Sequence, residues 1–413
     1  MKIIILGGGI IGLSSAYYLN KDGHQVIVLD NNPQQNGCSF GNAGMIVPSH
    51  FIPLAAPGMI AKGIRWMFNS TSPFYVRPRF SADLFKWGWE FYKHANEKHV
   101  QQSIQSLKEI HGLSRQLYKD WSNELPFDFG YHERGLMMLY QTAEIEKEEI
   151  ETTHLANKIG VEAHVLSLSE IQKLEPDVQV KARGGVYFPG DAHVTPQVLM
   201  TQLKLHLQEK GVDFQHAEIN RFEIANQSIN KIIDTEDRDW SCDELILATG
   251  AWSGDMGKHL SLNLPMQAGK GYSFTLQDVE KNTRIPSIFL EARVAVTPMG
   301  NTLRFGGTME IAGNDLAVNM NRVKGIVDSI PNYYPEMKID MPQKETVWSG
   351  LRPCSPDGLP YIGRSKKIKN LIVASGHSMM GLSLGPATGK LVSEIVASNA
   401  TSINCRAFNP DRY

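Results

Sequence analysis

The stretch IILGGGIIGLSSAYYLNKDGHQVIVLD, residues 4–30, leaves this chain few folds to choose from. An apolar run from Ile3 to Leu6 breaks at Gly7, Gly9 and Gly12. An amphipathic segment continues to Gly23, and a second apolar run closes on Asp30. Hydrophobic periodicity reads this as strand, turn, helix, strand. Each glycine has its own physical reason to be there. Gly7 permits the tight turn, Gly9 lets backbone approach a pyrophosphate, and Gly12 lets the helix pack on the strand. The phosphates then rest on the helix N-terminus. Asp30 ends the second strand where a carboxylate accepts from ribose hydroxyls and repels a 2′-phosphate, which argues against NADP. The motif alone leaves NAD and FAD open.

At 413 residues the chain is long enough for about two domains. A formal charge of −2 and a pI near 6.7 give no basic footprint for nucleic acid. Cys38, Cys242, Cys354 and Cys405 are scattered without a CxxC pair, so neither a disulfide framework nor a metal site is expected. A reducing, cytoplasmic setting fits that usage. Met1-Lys2 leads straight into the first apolar run, leaving no room for a signal peptide. No run of 18 apolar residues occurs, so no spanning helix is expected.

Further along, residues 51–80 are rich in proline, glycine and aromatics, and 81–123 read as long helices. GGVYFPGDAHVTP reads as two short strands before the helix QVLMTQLKLHLQEKG. GVDFQHAEI reads as a strand, and DELILATGAWSG as a buried strand closing on Gly250. Alternating runs from about 265 to 312 predict a separate, mostly antiparallel sheet.

The C-terminal segment NLIVASGHSMMGLSLGPATGKLVSEIVA repeats strand, glycine loop and helix. Gly376, Gly381 and Gly385 keep that loop open, and the helix from about Pro386 offers a second N-terminus for negative charge. A nicotinamide never becomes anionic, whereas a reduced flavin does, so the pair of helix starts favours FAD.

Taken in order, GGGIIGLSSAYYLNKDGHQVIVLD, SFGNAGMIVPS with AAPG, ILATGAWSG, GLRPCSPDGLPYIGR and NLIVASGHSMMGLSLGPATGK resemble the FAD-dependent D-amino-acid oxidase superfamily, nearest its D-amino-acid dehydrogenase and glycine oxidase group. The likeness runs over nearly the whole chain. It implies an α/β protein: a doubly wound, Rossmann-type, glutathione-reductase-like FAD domain at 1–50, 148–260 and 346–413, and an α+β antiparallel-sheet substrate domain at 51–147 and 261–345. It implies that Gly7, Gly9, Gly12 and Asp30, with Asn31, hold the FAD pyrophosphate and adenosine ribose, and that Ile219 meets the adenine through its backbone. Asn42, Ala43, Gly44 and Met45 would lie along the isoalloxazine near N5. Gly250 and Trp252 would line the pyrophosphate side, and Gly350, Gly376, His377, Gly381 and Leu382 the flavin ring.

Arg352 of GLRP matches the family's arginine for the substrate carboxylate. The chemistry agrees, because a planar guanidinium holds a carboxylate by two parallel hydrogen bonds and so fixes its orientation. The competing reading is a salt bridge to Asp357 or another acid. His377 reads as packing near the flavin, since hydride transfer from a neutral amine needs no enzyme base. Sarcosine oxidases carry their flavin-linking cysteine at the position matching Gly350, so non-covalent FAD is expected and Cys354 is not a link. Glycine oxidases carry a tyrosine where Ala295 stands, which enlarges the pocket and disfavours glycine. Tyr272, Glu291 and Met379 remain candidates to line it.

The expected reaction is oxidation of D-amino acids to 2-keto acids and ammonium by hydride transfer from Cα to flavin N5. A cyclic or secondary amino acid (D-proline, D-hydroxyproline, sarcosine, glycine) and a 2-hydroxy acid are the alternatives, the latter needing a base from His50 or His377. Quinone or oxygen accepts the electrons, with dehydrogenase favoured. Peripheral contact of residues 51–92 with an inner membrane face stays open.

Overall fold

A computed structural model describes residues 1–32, 37–61, 63 and 72–413. Its first sheet has six strands in the order Tyr361–Arg364, Leu371–Ser375, Glu244–Leu247, Lys2–Leu6, Gln25–Asp30, Asp213–His216. All neighbours are parallel except the first pair. Ile3, Ile5, Val26, Val28, Ile246 and Ile372 point to one face, where helices Ile10–Lys21, Glu97–Glu124, Pro196–Glu209 and Gly385–Val396 cover them. The alternate residues Ile4, Leu6, Ile27, Leu29, Leu245 and Leu247 point to the other face. There a three-stranded meander (Ile219–Ala225, Ser228–Asp234, Asp239–Trp240) and helix Ser253–His259 close the core. Burial on both faces explains why these strands are apolar throughout instead of alternating.

The second sheet has the order Trp348–Cys354, Gln267–Leu276, Thr302–Ile311, Val294–Met299, Ser287–Phe289, Leu136–Tyr140, Gly184–Phe188, His164–Ser167, with Phe74–Val76 beside Thr302–Ile311. Its strand pairing crosses the expected segment limits. His164–Ser167 and Gly184–Phe188 fall inside 148–260, and Trp348–Cys354 inside 346–413, yet all three pair in this sheet. Trp348–Cys354 therefore brings Arg352 onto the sheet's edge while the next strands, from Tyr361, return to the parallel sheet.

One face of this sheet packs on helix Met320–Tyr333: Tyr272, Phe274, Phe305, Val294 and Val296 meet Val323, Ile326 and Ile330. The opposite face looks towards the loop after the second parallel strand. Ser273 Oγ donates to the Gly41 carbonyl at 2.8 Å, and Arg304 donates to the carbonyls of Phe40 at 3.2 Å and Asn42 at 2.8 Å. The space between that face and the carboxyl ends of the parallel strands is where a ligand of an open α/β sheet belongs.

Candidate functional site

Two helix N-termini open into this space. Helix Ile10–Lys21 starts from Gly9 and helix Gly385–Val396 from Leu384, and in neither does the residue at the cap bond the first turn through its own side chain. The helices touch through glycine: a Cβ on Gly385 would lie 2.7 Å from Ile10 Cγ1, and one on Gly389 2.4 Å from the Ser14 backbone. Gly385, read from sequence as keeping a loop open, thus serves helix packing instead.

Space around the other glycines sorts them. A Cβ on Gly7, where φ is +106°, would meet the Ala248 carbonyl oxygen at 2.4 Å, and one on Gly12 the Gly7 carbonyl oxygen at 1.9 Å. Both are jammed against protein. A Cβ on Gly9 would approach only Ser39 Oγ, at 3.6 Å, and one on Gly381 only His377 Cβ, at 3.7 Å. One on Gly250 would meet nothing within 4 Å. Three glycines of the expected cofactor set therefore face open space that no packing demands, as a dinucleotide cradle requires. Gly9→Val should leave the fold intact and yield protein without flavin absorbance; a full complement of FAD in the purified variant would remove this assignment.

Asp30 accepts from the Gly8 N–H and, at 2.6 Å, from the Asn32 N–H, so its carboxylate is aimed into the turn. Asn31 is exposed beside it. Ser39, which sequence reasoning passed over, accepts from the Ile10 N–H at 3.0 Å and so sits on the first helix N-terminus. Its signal is its place at the head of SFGNAG. Ile219 opens the meander and packs beneath the parallel sheet. Trp252 is exposed next to Gly250.

The Asn42–Met45 stretch is fixed from several sides. Asn42 Oδ1 accepts from the Gly44 N–H at 2.9 Å, the Gly44 carbonyl from Val194 N–H at 2.8 Å, and Met45 pairs with His193. Gly44 has φ +78°, and a Cβ there would meet the Val194 carbonyl oxygen at 2.4 Å. The neighbouring Gly41 and Gly350 have a different reason to lack side chains: a Cβ on either would collide with the Trp348 indole, at 1.9 and 2.0 Å. Leu382 and Ser383 join the same region, the Leu382 carbonyl accepting from Tyr118 and Ser383 Oγ from the Val47 N–H. Gly376 has φ +76° and leads into His377, whose Nε2 lies 3.0 Å from Thr388 Oγ1. Burial pushes the His377 pKa down to about 3, so the ring is neutral and bonded within the core.

Arg352 donates to the Thr308 carbonyl at 2.5 Å, and its guanidinium lies flat over Gly271, where a Cβ would come within 2.4 Å of Cζ. Thr308 holds the unusual φ of +68° that turns this carbonyl towards the arginine. The salt bridge to Asp357 is absent, because both Asp357 oxygens are taken by Arg412, at 2.6 and 3.0 Å. Burial lowers the Arg352 pKa, partly opposed by Cys38 and Cys354, and among the described residues no carboxylate stabilises the cation. Small residues carry this face across three strands as a floor: Ser273, Gly306 and Ala295 stand in register, about 10 Å wide at ordinary strand spacing, with Gly271 two residues along from Ser273.

Two expected pocket residues, Tyr272 and Glu291, are committed to contacts elsewhere in the protein. Tyr272 points to the opposite face from Gly271, as strand alternation dictates, and donates to Glu310 at 2.7 Å within the core against helix Met320–Tyr333. Glu291 accepts from the Gln141 and Thr142 N–H groups and from the Tyr333 hydroxyl, anchoring a helix start. Met379 is 39% exposed, whereas its neighbour Met380 packs with Ala43 and Met45. Arg304 is spent on backbone carbonyls of the 40–42 loop and positions that loop. Cys354 is buried, with its pKa pushed up to about 11 by burial, and Gly350 offers no thiol. Among the described residues no cluster of three His, Cys, Asp or Glu could hold a metal.

A family model described as DAO, FAD dependent oxidoreductase, matches residues 2–395. D-Amino acid dehydrogenase of Neisseria meningitidis (serogroup C / serotype 2a) is 31% identical over 421 residues, covering 100% of both chains. D-Amino acid dehydrogenase of Helicobacter pylori (strain ATCC 700392 / 26695) is 30% identical over 406 residues, 98% of this chain and 96% of that one. Among solved structures, glycine oxidase from Geobacillus kaustophilus superposes with a TM-score of 0.79 at 22% identity, covering 100% of this chain and 98% of its own. L-Proline dehydrogenase from P. horikoshii superposes at 0.77 and 18% identity, covering 100% and 97%.

Proposed function

The chain belongs to the DAO family of FAD-dependent oxidoreductases, and from that premise we propose that it oxidises free D-amino acids to 2-keto acids and ammonium. The observation that carries this reading is Arg352, a half-buried cation lying over a glycine floor, with one carbonyl partner and no acid among the described residues. Its remaining N–H groups suit a carboxylate in a two-point grip. Gripped so, an amino acid is left with one rotation, and the floor of Gly271, Gly306 and Ala295 decides which Cα face looks towards the Asn42–Met45 loop. The D series is supported by the names of the relatives. When bound, FAD supplies at N5 the acceptor for the Cα hydrogen and its electron pair. The first turn of helix Gly385–Val396, where among the described residues only Ala387 N–H meets a side chain, the distant Ser114 hydroxyl at 3.5 Å, would favour negative charge developing beside it. Release and hydrolysis of the imine give the products. Because Gly350 supplies no thiol, the cofactor is held without a covalent bond.

Anaerobic mixing of the FAD-loaded protein with D- and L-amino acids, cyclic and secondary amino acids, and 2-hydroxy acids tests this directly. Rapid bleaching by primary D-amino acids is the expected result. Preferential bleaching by cyclic amino acids or 2-hydroxy acids would replace the reading with one of those.

The electron acceptor proposed is a membrane quinone. Among the described residues no helix is long and apolar enough to cross a membrane. On helix Ala82–His94, however, Leu84, Trp87 and Phe91 pack inward while Phe85, Trp89 and Tyr92 stand 68%, 58% and 63% exposed at i, i+4 and i+7. Phe80, fully exposed, precedes them. Aromatics in that arrangement, with Lys86 and Lys93 beside them in sequence, suit the headgroup boundary. Phe85, Trp89 and Tyr92 replaced together by serine should release the protein from anionic phospholipid vesicles while activity with a soluble dye acceptor persists. Equal sedimentation with vesicles before and after the change, or fast reoxidation by oxygen with stoichiometric peroxide, would overturn this proposal.

A further inference from the structure

Neither the flavin cradle nor the carboxylate grip uses a buried chain of polar groups beside the floor. Asp191, in the turn between strands Gly184–Phe188 and Ala192–His193, is 1% exposed. Both its oxygens go to one serine: Oδ1 accepts from the Ser49 N–H at 3.0 Å and Oδ2 from the Ser49 hydroxyl at 2.5 Å. A serine has a single hydroxyl proton, so Ser49 Oγ is then an acceptor towards His50 Nδ1, 3.1 Å away. That bond fixes the proton of a neutral imidazole on Nδ1 and leaves Nε2 with a lone pair.

The chain starts from a segment whose neighbours pack beside the expected reaction space. His50 follows Met45 and Val47, which share a hydrophobic cluster with Ala295, Phe51 and Met380. Ala295 belongs to the same sheet face as Gly271, over which Arg352 lies. Arg293, two residues before Ala295 on the chain, also acts on His50.

We propose that His50, Ser49 and Asp191 relay away the proton that the bound amino acid's ammonium group must lose before its Cα hydrogen leaves as hydride. The inference rests on the amino-acid reading above. In this step an ammonium N–H bond breaks, its proton passing to His50 Nε2 and its electron pair staying on nitrogen. The His50 Nδ1 proton moves to Ser49 Oγ, and the Ser49 proton to the Asp191 carboxylate. Nothing is oxidised, and one ammonium and one carboxylate become an amine and a carboxylic acid. Burial raises the Asp191 carboxyl to about 7 against the opposing Ser49 bonds and the more distant Arg115, which suits it to hold that proton. Burial and Arg293 hold His50 down to about 4, so the ring conducts without keeping charge. The other titratable groups facing the chain are His111, buried and neutral, towards His50, and Tyr187 towards Asp191.

The test is the pH dependence of anaerobic flavin reduction in the FAD-loaded protein, using the fastest amino acid of the panel at saturation. The wild-type rate should rise through about pH 7, as Asp191 ionises, and then level. Ser49→Ala and Asp191→Asn should lose that inflection and track the free amine instead, climbing about tenfold per pH unit. Near pH 7.5 both should be at least tenfold slower than wild type and converge on it above pH 9, while binding of propanoate, which lacks the amine, stays unchanged. Two variants are needed because Asp191→Asn could fail to fold, and Ser49→Ala then decides. Profiles that superpose on wild type after scaling would overturn the relay alone. A wild-type flavin that no amino acid bleaches would overturn both readings.

Discussion

Arg352→Lys is expected to cost at least tenfold in substrate affinity and to slow flavin reduction further, with FAD content unchanged. Lysine keeps the charge but loses the planar fork, and each charge-assisted hydrogen bond forgone is worth roughly 1.5–3 kcal/mol. Tenfold in a binding constant corresponds to about 1.4 kcal/mol, so the loss of a single bond reaches it. The rate falls as well because a carboxylate held at one point lets Cα swing off line. The geometry around the arginine sharpens the expectation. Its guanidinium rests on Gly271 and is steered by the Thr308 carbonyl, and neither restrains a rotating ammonium. The measurement is stopped-flow reduction by an amino acid and by the matching amine without a carboxylate. Wild type should strongly prefer the amino acid, and the variant should lose most of that preference. Retained discrimination would place the carboxylate elsewhere, with Arg293 the next residue to examine, since Arg304 is committed to the 40–42 loop.

What could be read from the sequence, and what could not, follows the range of the interactions concerned. The strand, turn and helix of residues 2–30 are local and came through with the glycine spacing, as did the helix that begins at Gly385. Arg352 stands out in the sequence because its neighbours in GLRP are contiguous, while its role there stays a proposal. Tyr272 was misplaced because one residue of register decides which face of a strand a side chain takes, and the packing that sets the register comes from helix Met320–Tyr333. That helix itself passed unread, since Pro331 inside it suggests a break, although it lies in the last turn and the helix ends two residues on. Glycine carries the same ambiguity. Gly9 and Gly385 look alike in sequence, yet one faces open space and the other the Ile10 side chain. The His50–Ser49–Asp191 chain joins residues 142 positions apart and has no local signature.

Arg412→Leu should destabilise the protein by about 3–5 kcal/mol, because it strands the Asp357 carboxylate in the core. The carboxylate is 3% exposed, and Arg412 grips it with two donors while passing others to the carbonyls of Leu359 and Pro360 and lying 4.0 Å from the Tyr361 ring centroid. This grip, made by the residue next to Tyr413, secures the loop that leaves Cys354. Trp87 and His99 hold the same loop through the carbonyls of Cys354 and Asp357, each at 2.8 Å. Burial alone would raise the Asp357 carboxyl, but the Arg412 fork outweighs it and keeps it below the usual carboxylate range. The sign of the pH effect follows: a carboxyl depressed in the folded state adds stability at neutral pH, and the gain disappears as pH falls through that lowered value. Wild type should therefore lose stability in acid at this site, and Arg412→Leu should show a flatter acid limb because the gain is already gone. The double change Asp357→Leu with Arg412→Leu separates a buried charge from a lost contact. Removing both partners leaves no charge to strand, so the double variant should be more stable than Arg412→Leu alone. Urea unfolding of the three proteins, each loaded with FAD, measures this order. A double variant less stable than the single one would mean that Asp357 holds the loop chiefly through other bonds, with its oxygen on the Leu359 N–H at 3.1 Å the first to examine.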